Sequence, residues 1–409
     1  MLPAAVLISL CTLTVIAYLR FGDMLYPAFL QALLWTLVTA LYLLNEDVFV
    51  GLTRTMYFVV VNGVFTFSLG CYIATYRHRF TERRFQFSVL QRDRVLPILF
   101  WVSLLGLPFF LSHAAEIGAH GPTGILLVDL RLALTGKQDA GFGPLFYLVP
   151  VAFTSAALHG LRVDARADKV KFAISCAVVL VYAIFMTGRT FLFLTIMLPA
   201  GVLLISRRLR TTKLAVWCLA LMLVAFAAVS FVTGKGGADV HNSLAKNSSA
   251  VVDSIRLYLL GAIPAFDRFM DIAPPATLGA NTFRVFLKVT DKLGLQTPPP
   301  PLIQPYVRVP MPTNVYTVYQ PYFMDFSFAG IAIVQFLFGL WHGYLYRRAN
   351  QGSPLFVCLY ALFLYPLFVQ FFQDEYLNFL IQCIVLTMLV YFLLQRNRLV
   401  ERASVPVQV

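Results

Sequence analysis

The stretch NVYTVYQPYFMDFSFAG, residues 314–330, brings an amide, several phenols and a carboxylate to the start of an apolar run. Asp325 follows Pro321, a residue that favours the first turn of a helix. A carboxylate there can act as a general base or bind a hydroxyl, or it can simply complement the helix dipole. The tyrosines can stack on and hydrogen-bond a sugar, or form an ordinary interfacial belt. The candidates in this stretch are Asn314, Tyr316, Tyr319, Tyr322 and Asp325.

Arginines are the second set of candidates, because the planar guanidinium binds phosphate oxygens in pairs. Arg189, in MTGRTFLF, stands between two apolar runs with almost no loop, so it either snorkels to the interface or faces a polar cavity. Arg256 follows Asp253 by three residues, which can be only a helix surface pair. Arg256 and Arg284 both lie in the long segment 234–320, which contains eight Lys or Arg residues and five Asp residues. This surplus of positive charge predicts attraction to an anionic group such as a diphosphate.

Several reaction classes lose support from the sequence. The chain has no GxxxxGK[ST], HExxH or GxSxG motif, and adjacent acids occur only as NED (45–47) and QDE (373–375). The six cysteines lie in apolar runs without a CxxC pair, and the histidines are scattered. We therefore expect neither a metal nor another cofactor.

Composition predicts an all-α polytopic membrane protein. Of the 409 residues, 59% are hydrophobic and 12% charged, and the mean hydropathy is +0.76. The net charge is +13, and most of the Lys and Arg residues lie in short loops. The positive-inside rule assigns such loops to the cytoplasm. This distribution argues against nucleic acid as a partner. Eleven apolar runs are long enough to span a bilayer: 3–19, 25–44, 55–76, 95–113, 141–159, 170–187, 190–206, 214–233, 321–346, 354–372 and 376–394.

These runs predict three parts: spans 1–8 in residues 1–233, a large outside loop at 234–320, and spans 9–11 with a basic tail in 321–409. The amino terminus then lies outside and the carboxyl terminus inside. The large loop is expected to hold an amphipathic helix after Asn247, a second one within 277–295, and a stiff, extended proline-rich strap around TPPPPLIQPYVRVPMP. A shorter outside loop is expected at 114–140.

The sequence resembles the Wzy-type oligosaccharide repeat-unit polymerases of bacterial surface polysaccharide assembly. The residues that carry the resemblance are TGRT at 187–190, the loop segment SIRLYLLGAIPAF, and NVYTVYQPYFMDFSFAG followed by a helix and the basic turn YRR. The likeness covers most of the chain as architecture and these short patches as sequence.

The resemblance implies a metal-independent glycosyltransferase with the glycosyltransferase C-like fold shared with O-antigen ligases. Such enzymes act at the periplasmic face of the inner membrane and transfer a glycan from undecaprenyl diphosphate to another lipid-linked unit. Arg189 matches a diphosphate-binding arginine by motif, and Arg256 and Arg284 match by placement. The related ligases use a histidine near a late helix, where this chain offers Asn314, Tyr319 and Asp325, so the base stays open.

A chain-length regulator is a further partner that the resemblance suggests. Two alternative functions remain at this stage: a ligase that delivers the glycan to lipid A core, and a flippase or transporter of lipid-linked sugars. The missing histidine disfavours the ligase. The gathering of charge at the outer face and in the cytoplasmic loops disfavours the transporter.

Overall fold

The protein is described here from a computed structural model that covers residues 1–78, 95–119, 121–135, 141–163, 166–206, 252–253, 255–273, 276–295, 300, 304–376 and 380–403. Most of these residues are helical, and many large apolar side chains on the helices are exposed, as expected where lipid covers a surface. The chain is an all-α membrane protein apart from one small β-ribbon.

The helices are numbered in chain order: α1 Leu2–Phe21, α2 Pro27–Leu43, α3 Arg54–Ala74, α4 Val95–Ala119, α5 Leu126–Thr135, α6 Leu148–Gly160, α7 Arg166–Phe185, α8 Arg189–Ile205, α9 Ala262–Ile272, α10 Arg284–Lys292, α11 Gln320–Asn350, α12 Pro354–Phe368 and α13 Leu380–Ala403. A 3₁₀ turn, Gly143–Tyr147, leads into α6. Strands β1 (Val307–Arg308) and β2 (Pro312–Thr313) pair antiparallel, with Val307 opposite Thr313.

Four of the described helices, α1, α3, α4 and α11, are long and apolar enough to cross a membrane. Shorter apolar helices lie at Pro27–Leu43, Thr190–Ile205, Pro354–Phe368 and Ile381–Phe392. The eleven-span count stays a prediction, and its run at 214–233 lies outside the described residues.

Helix ends follow local chemistry. Proline opens α2 and α12, where its missing N–H costs nothing. Thr53 caps α3 by accepting a hydrogen bond from the Met56 amide (3.2 Å). The N–H of Gly22 closes α1 in the left-handed conformation (φ 62°) that glycine adopts without strain.

The chain divides into two compact units: residues 1–81, 252–348 and 365–379 form the first, and residues 82–251, 349–364 and 380–409 form the second. In the first unit α1, α2 and α3 pack together, and α3 crosses α11 at close range. A Cβ on Gly339 would lie 2.0 Å from the Phe67 carbonyl oxygen, so only glycine allows this approach. In the second unit α6 contacts α4, α7, α8 and α13.

The segments that the sequence predicts to lie outside differ from the expectations in three places. The predicted loop at 114–140 is largely helical, because α4 runs to Ala119 and α5 follows. The first loop helix is interrupted at Gly261, and the second is shorter than predicted because residues 277–283 form a turn. The described part of the proline-rich strap folds back as the β1–β2 ribbon rather than running straight.

Candidate functional site

The helix α11 is broken near its start, which the sequence did not predict. Phe326 (φ −140°, ψ 16°) and Ser327 (φ 57°, ψ −150°) are non-helical and divide the predicted span 321–346 into a short first piece and a long second one. Gly330 lets the pieces approach, since a Cβ there would lie 2.4 Å from the Tyr322 carbonyl oxygen. Broken helices at membrane depth are tolerated where protein or a cavity satisfies the freed backbone groups.

Asp325, the last residue before the break, is fully buried and accepts five hydrogen bonds from the turn at 277–282. Its Oδ1 receives the Thr277 hydroxyl and both the amide (3.1 Å) and the side-chain nitrogen (3.0 Å) of Asn281. Its Oδ2 receives the amide and the hydroxyl of Thr282, both at 2.6 Å. The Met324 carbonyl, freed by the break, accepts from the Thr277 amide at 3.0 Å.

These contacts give Asp325 a structural role: it joins the turn that precedes α10 to the broken helix. A carboxylate whose lone pairs are already occupied is poorly suited to take a proton from a substrate. Asp325 as the base stays a prediction, but its surroundings favour the tethering role that the sequence could not reveal.

The predicted tyrosines have distinct environments. The Tyr316 hydroxyl donates to the Pro305 carbonyl, the ring packs on Phe269 (4.7 Å between centroids), and burial raises the pKa of Tyr316 to about 12, so it remains a donor at neutral pH. Tyr319 is fully buried and stacks on Trp35 at 5.2 Å. Its hydroxyl has no hydrogen-bond partner among the described residues.

Tyr322, on the first piece of α11, is also fully buried, and its hydroxyl faces the Asp374 carboxylate. Asn314 follows β2 and is half-buried.

The two loop arginines lie in the first unit with the tyrosines. Arg256 is exposed, and its Nη1 lies 3.7 Å from Asp253 Oδ1 in the surface pair that the sequence spacing allowed. Such an exposed pair is worth little, so the guanidinium can exchange it for a phosphate. Arg284 begins α10, and its Nη1 donates to the Pro300 carbonyl. Partial burial lowers the pKa of the Arg284 guanidinium, and its Nε has no partner in the described part of the chain.

Arg189 belongs to the second unit, where its backbone begins α8. Its side chain lies outside the described part of the chain. Thr187, two residues before Arg189, has a left-handed backbone conformation (φ 54°). The Arg131 guanidinium donates a hydrogen bond to the Thr187 carbonyl at 3.1 Å. Arg131 therefore fixes the backbone from which Arg189 projects.

A buried set of polar side chains lies in the first unit and was not anticipated. We call Gln31, Trp35, Gln335, His342, Gln370 and Tyr376 the polar cluster. Gln370 is its centre: Oε1 accepts from Gln31 Nε2 (2.9 Å) and Trp35 Nε1 (3.5 Å), and Nε2 donates to the Tyr376 hydroxyl (2.8 Å). His342 Nε2 lies 3.1 Å from the same hydroxyl oxygen.

The signal for this cluster was present in the sequence as glutamines inside apolar runs. Gln31 lies in α2, Gln335 in α11, and Gln370 just after α12. Polar groups buried at membrane depth are costly and mark functional positions more often than surface ones do. Only the fold shows that the three amides meet.

The residues of the first unit can bind a hydroxyl-bearing ligand, because its phenols and amides can both donate and accept hydrogen bonds, and the same unit also contains Arg256 and Arg284. Among the described residues, no three His, Cys, Asp or Glu side chains come close enough together to hold a metal ion.

Comparison with known proteins gives one similarity over most of the chain. An O-antigen polymerase of Shigella dysenteriae is 24% identical over 355 residues, which cover 84% of this chain and 84% of that protein. No family model matches the chain, and no solved structure matches it. This similarity supports the resemblance of the chain to the Wzy-type oligosaccharide repeat-unit polymerases.

Proposed function

We propose that the protein polymerises lipid-linked oligosaccharide repeat units. It transfers the growing glycan from undecaprenyl diphosphate to the terminal sugar of another undecaprenyl-diphosphate-linked unit at the periplasmic face of the bacterial inner membrane. The observation that carries the proposal is the similarity to an O-antigen polymerase along 84% of both chains. A catalyst embedded in the bilayer also suits a substrate whose lipid never leaves the bilayer.

In this proposal the amino terminus is periplasmic and the carboxyl terminus cytoplasmic, so the basic loop at 234–320 meets the diphosphates. Arg189, Arg256 and Arg284 bind the donor diphosphate and stabilise the charge that develops on it as the glycosidic bond breaks. The exposure of Arg256 and the unpartnered Nε of Arg284 support this role, because both leave donors for phosphate oxygens.

The acceptor sugar lies against the aromatic stretch. Tyr322 and Tyr319 offer buried hydroxyls, while Tyr316 and Asn314 line the approach from the β-ribbon. Asp325 holds the turn that precedes Arg284, and through it keeps this part of the loop close to the broken helix. The name of the relative favours this function over an O-antigen ligase and over a flippase.

The first test is made in cells that lack their own polymerase. Replacing Arg256 or Arg189 with alanine is expected to abolish long polysaccharide chains and to leave single capped units on electrophoresis of surface polysaccharide. Losing a charge-assisted hydrogen bond to phosphate costs about 1.5–3 kcal/mol, a loss of roughly 10- to 100-fold.

The matched control is Arg268→Ala, because Arg268 is an exposed arginine on α9 of the same loop. It should leave the ladder of chain lengths unchanged. Normal ladders from both Arg189→Ala and Arg256→Ala would disprove the assignment of these arginines.

A further inference from the structure

The turn at 369–376, between α12 and α13, lies within the candidate site although its acids were not assigned a role by sequence. The Val318 amide donates to the Gln370 carbonyl at 2.8 Å, which fixes the turn to the segment that precedes α11. The Phe372 ring stacks on Tyr258 with 4.7 Å between centroids. Tyr258 is two residues from Arg256, so the turn packs beside the helical stretch that carries a predicted diphosphate ligand.

Two carboxylates follow on this turn, and they differ in solvent exposure. Glu375 is buried, at 3% exposure, and accepts a hydrogen bond from the Gln373 side chain. Asp374 is half-buried; its Oδ1 accepts the Tyr376 amide at 3.1 Å, and the Tyr322 hydroxyl faces it. A base must be held in place by protein and lie within hydrogen-bond reach of the substrate hydroxyl, so the more exposed of the two carboxylates is the candidate.

The surroundings of Asp374 bring its pKa close to neutral pH. Burial, helped by the neighbouring charge of Glu375, raises the pKa of Asp374 to about 7, while the Tyr376 amide and the nearby Tyr322 hydroxyl act in the opposite direction. The other titratable groups around it are those two tyrosines, with His342 beyond Tyr376. General bases work best when their pKa is close to the working pH.

Unsatisfied donors in the same region indicate where a hydroxyl-bearing ligand would bind. Tyr319 Oη and Gln335 Nε2 are fully buried and have no hydrogen-bond partner within the described ranges. Gln335 contacts Gln31, which bonds Gln370, which in turn bonds Tyr376. Buried polar atoms left unpaired are costly, and sugar hydroxyls that bond to them would remove that cost.

We propose that Asp374 is the general base that removes the proton from the acceptor sugar hydroxyl, with Tyr322 and Tyr376 orienting its carboxylate. This inference rests on the proposed polymerase function. The acceptor oxygen attacks the anomeric carbon of the donor sugar and forms the new glycosidic bond. The bond from that carbon to the diphosphate breaks, and its electron pair leaves with undecaprenyl diphosphate. The acceptor proton passes to Asp374 and then to water.

The test uses the full-length purified protein in detergent or nanodiscs with purified lipid-linked repeat units. Asp374→Asn is expected to lower the initial rate of polymerisation by about 10²- to 10⁴-fold while leaving binding of the lipid-linked donor unchanged. Asp374→Glu keeps a carboxylate and should recover a measurable part of the rate.

The pH profile separates catalysis from a merely structural role. The wild-type rate should rise as the pH passes through about 7 and level off above it, because only the deprotonated carboxylate accepts a proton. Glu375→Gln removes the neighbouring negative charge, so its midpoint should move to lower pH while polymerisation is retained.

Several results would overturn the assignment of Asp374. These are a wild-type rate for Asp374→Asn, equal inactivity of Asp374→Asn and Asp374→Glu with lost donor binding, and an unmoved midpoint in Glu375→Gln. Failure of the polymerase proposal itself is distinct, because the wild-type protein would then form no polymer at any pH.

Discussion

At the scale of single residues, two aspartates of the first unit have opposite surroundings. Asp325 is fully buried with five donors on its two oxygens, whereas Asp374 is half-buried beside a phenol and a second acid. The sequence identified Asp325 because it stands next to Pro321 and the tyrosines. It could not show the donors, since they come from a turn more than 40 residues away. The sequence therefore indicated a carboxylate at the start of this helix, but it could not show which groups Asp325 binds.

Asp325→Asn should destabilise the protein rather than change the pH dependence of its reaction. An amide offers one acceptor oxygen and sets its N–H₂ group against donors of Thr282 or Asn281. Leaving one or two buried donors unpaired predicts a loss on the order of 2–3 kcal/mol in the free energy of unfolding. A thermal-unfolding scan in detergent measures it, with Asp271→Asn, at an exposed site on α9, as the matched control. An unchanged midpoint in Asp325→Asn would refute the tether.

At the scale of elements, the sequence predicted most of the described helices and missed the break in α11. Apolar runs and opening prolines give helix positions because those features act locally. The break at Phe326 and Ser327 depends on the turn at 277–282, which satisfies the Met324 carbonyl from a distance. The 234–320 segment has a second tie to the first unit: Asp267 on α9 accepts the amide of Thr53, the cap of α3, at 2.7 Å.

Ser327→Gly should raise the stability of the protein. Ser327 has φ 57° and ψ −150°, a conformation that is open essentially to glycine alone and costs other residues about 1–3 kcal/mol. Removing the Cβ relieves that strain, partly offset by the greater freedom of glycine in the unfolded chain. Ser327→Val is the matched opposite change and should lower the unfolding temperature. If glycine destabilised the protein as much as valine, the backbone at the break would not be strained as described.

At the scale of the whole molecule, composition was sufficient to predict an all-α membrane protein, because no soluble core absorbs so much apolar sequence. The predicted site residues fall in both compact units: Arg189 in the second, and Arg256, Arg284, Asn314, Asp325 and the tyrosines in the first. Spacing along the chain could not assign them to units. Nor could it show that three glutamines from different parts of the chain meet in the polar cluster, because that requires the packing of α2, α11 and the turn after α12.

We propose that this chain joins lipid-linked repeat units to one another, and this can be measured with purified components. The most direct measurement is incubation of the purified protein with purified undecaprenyl-diphosphate-linked repeat units, followed by mass analysis of the products. We expect a ladder of glycans that differ by one repeat unit, with one undecaprenyl diphosphate released for each bond formed. Units that remain single, or that are transferred only to added lipid A core, would contradict it.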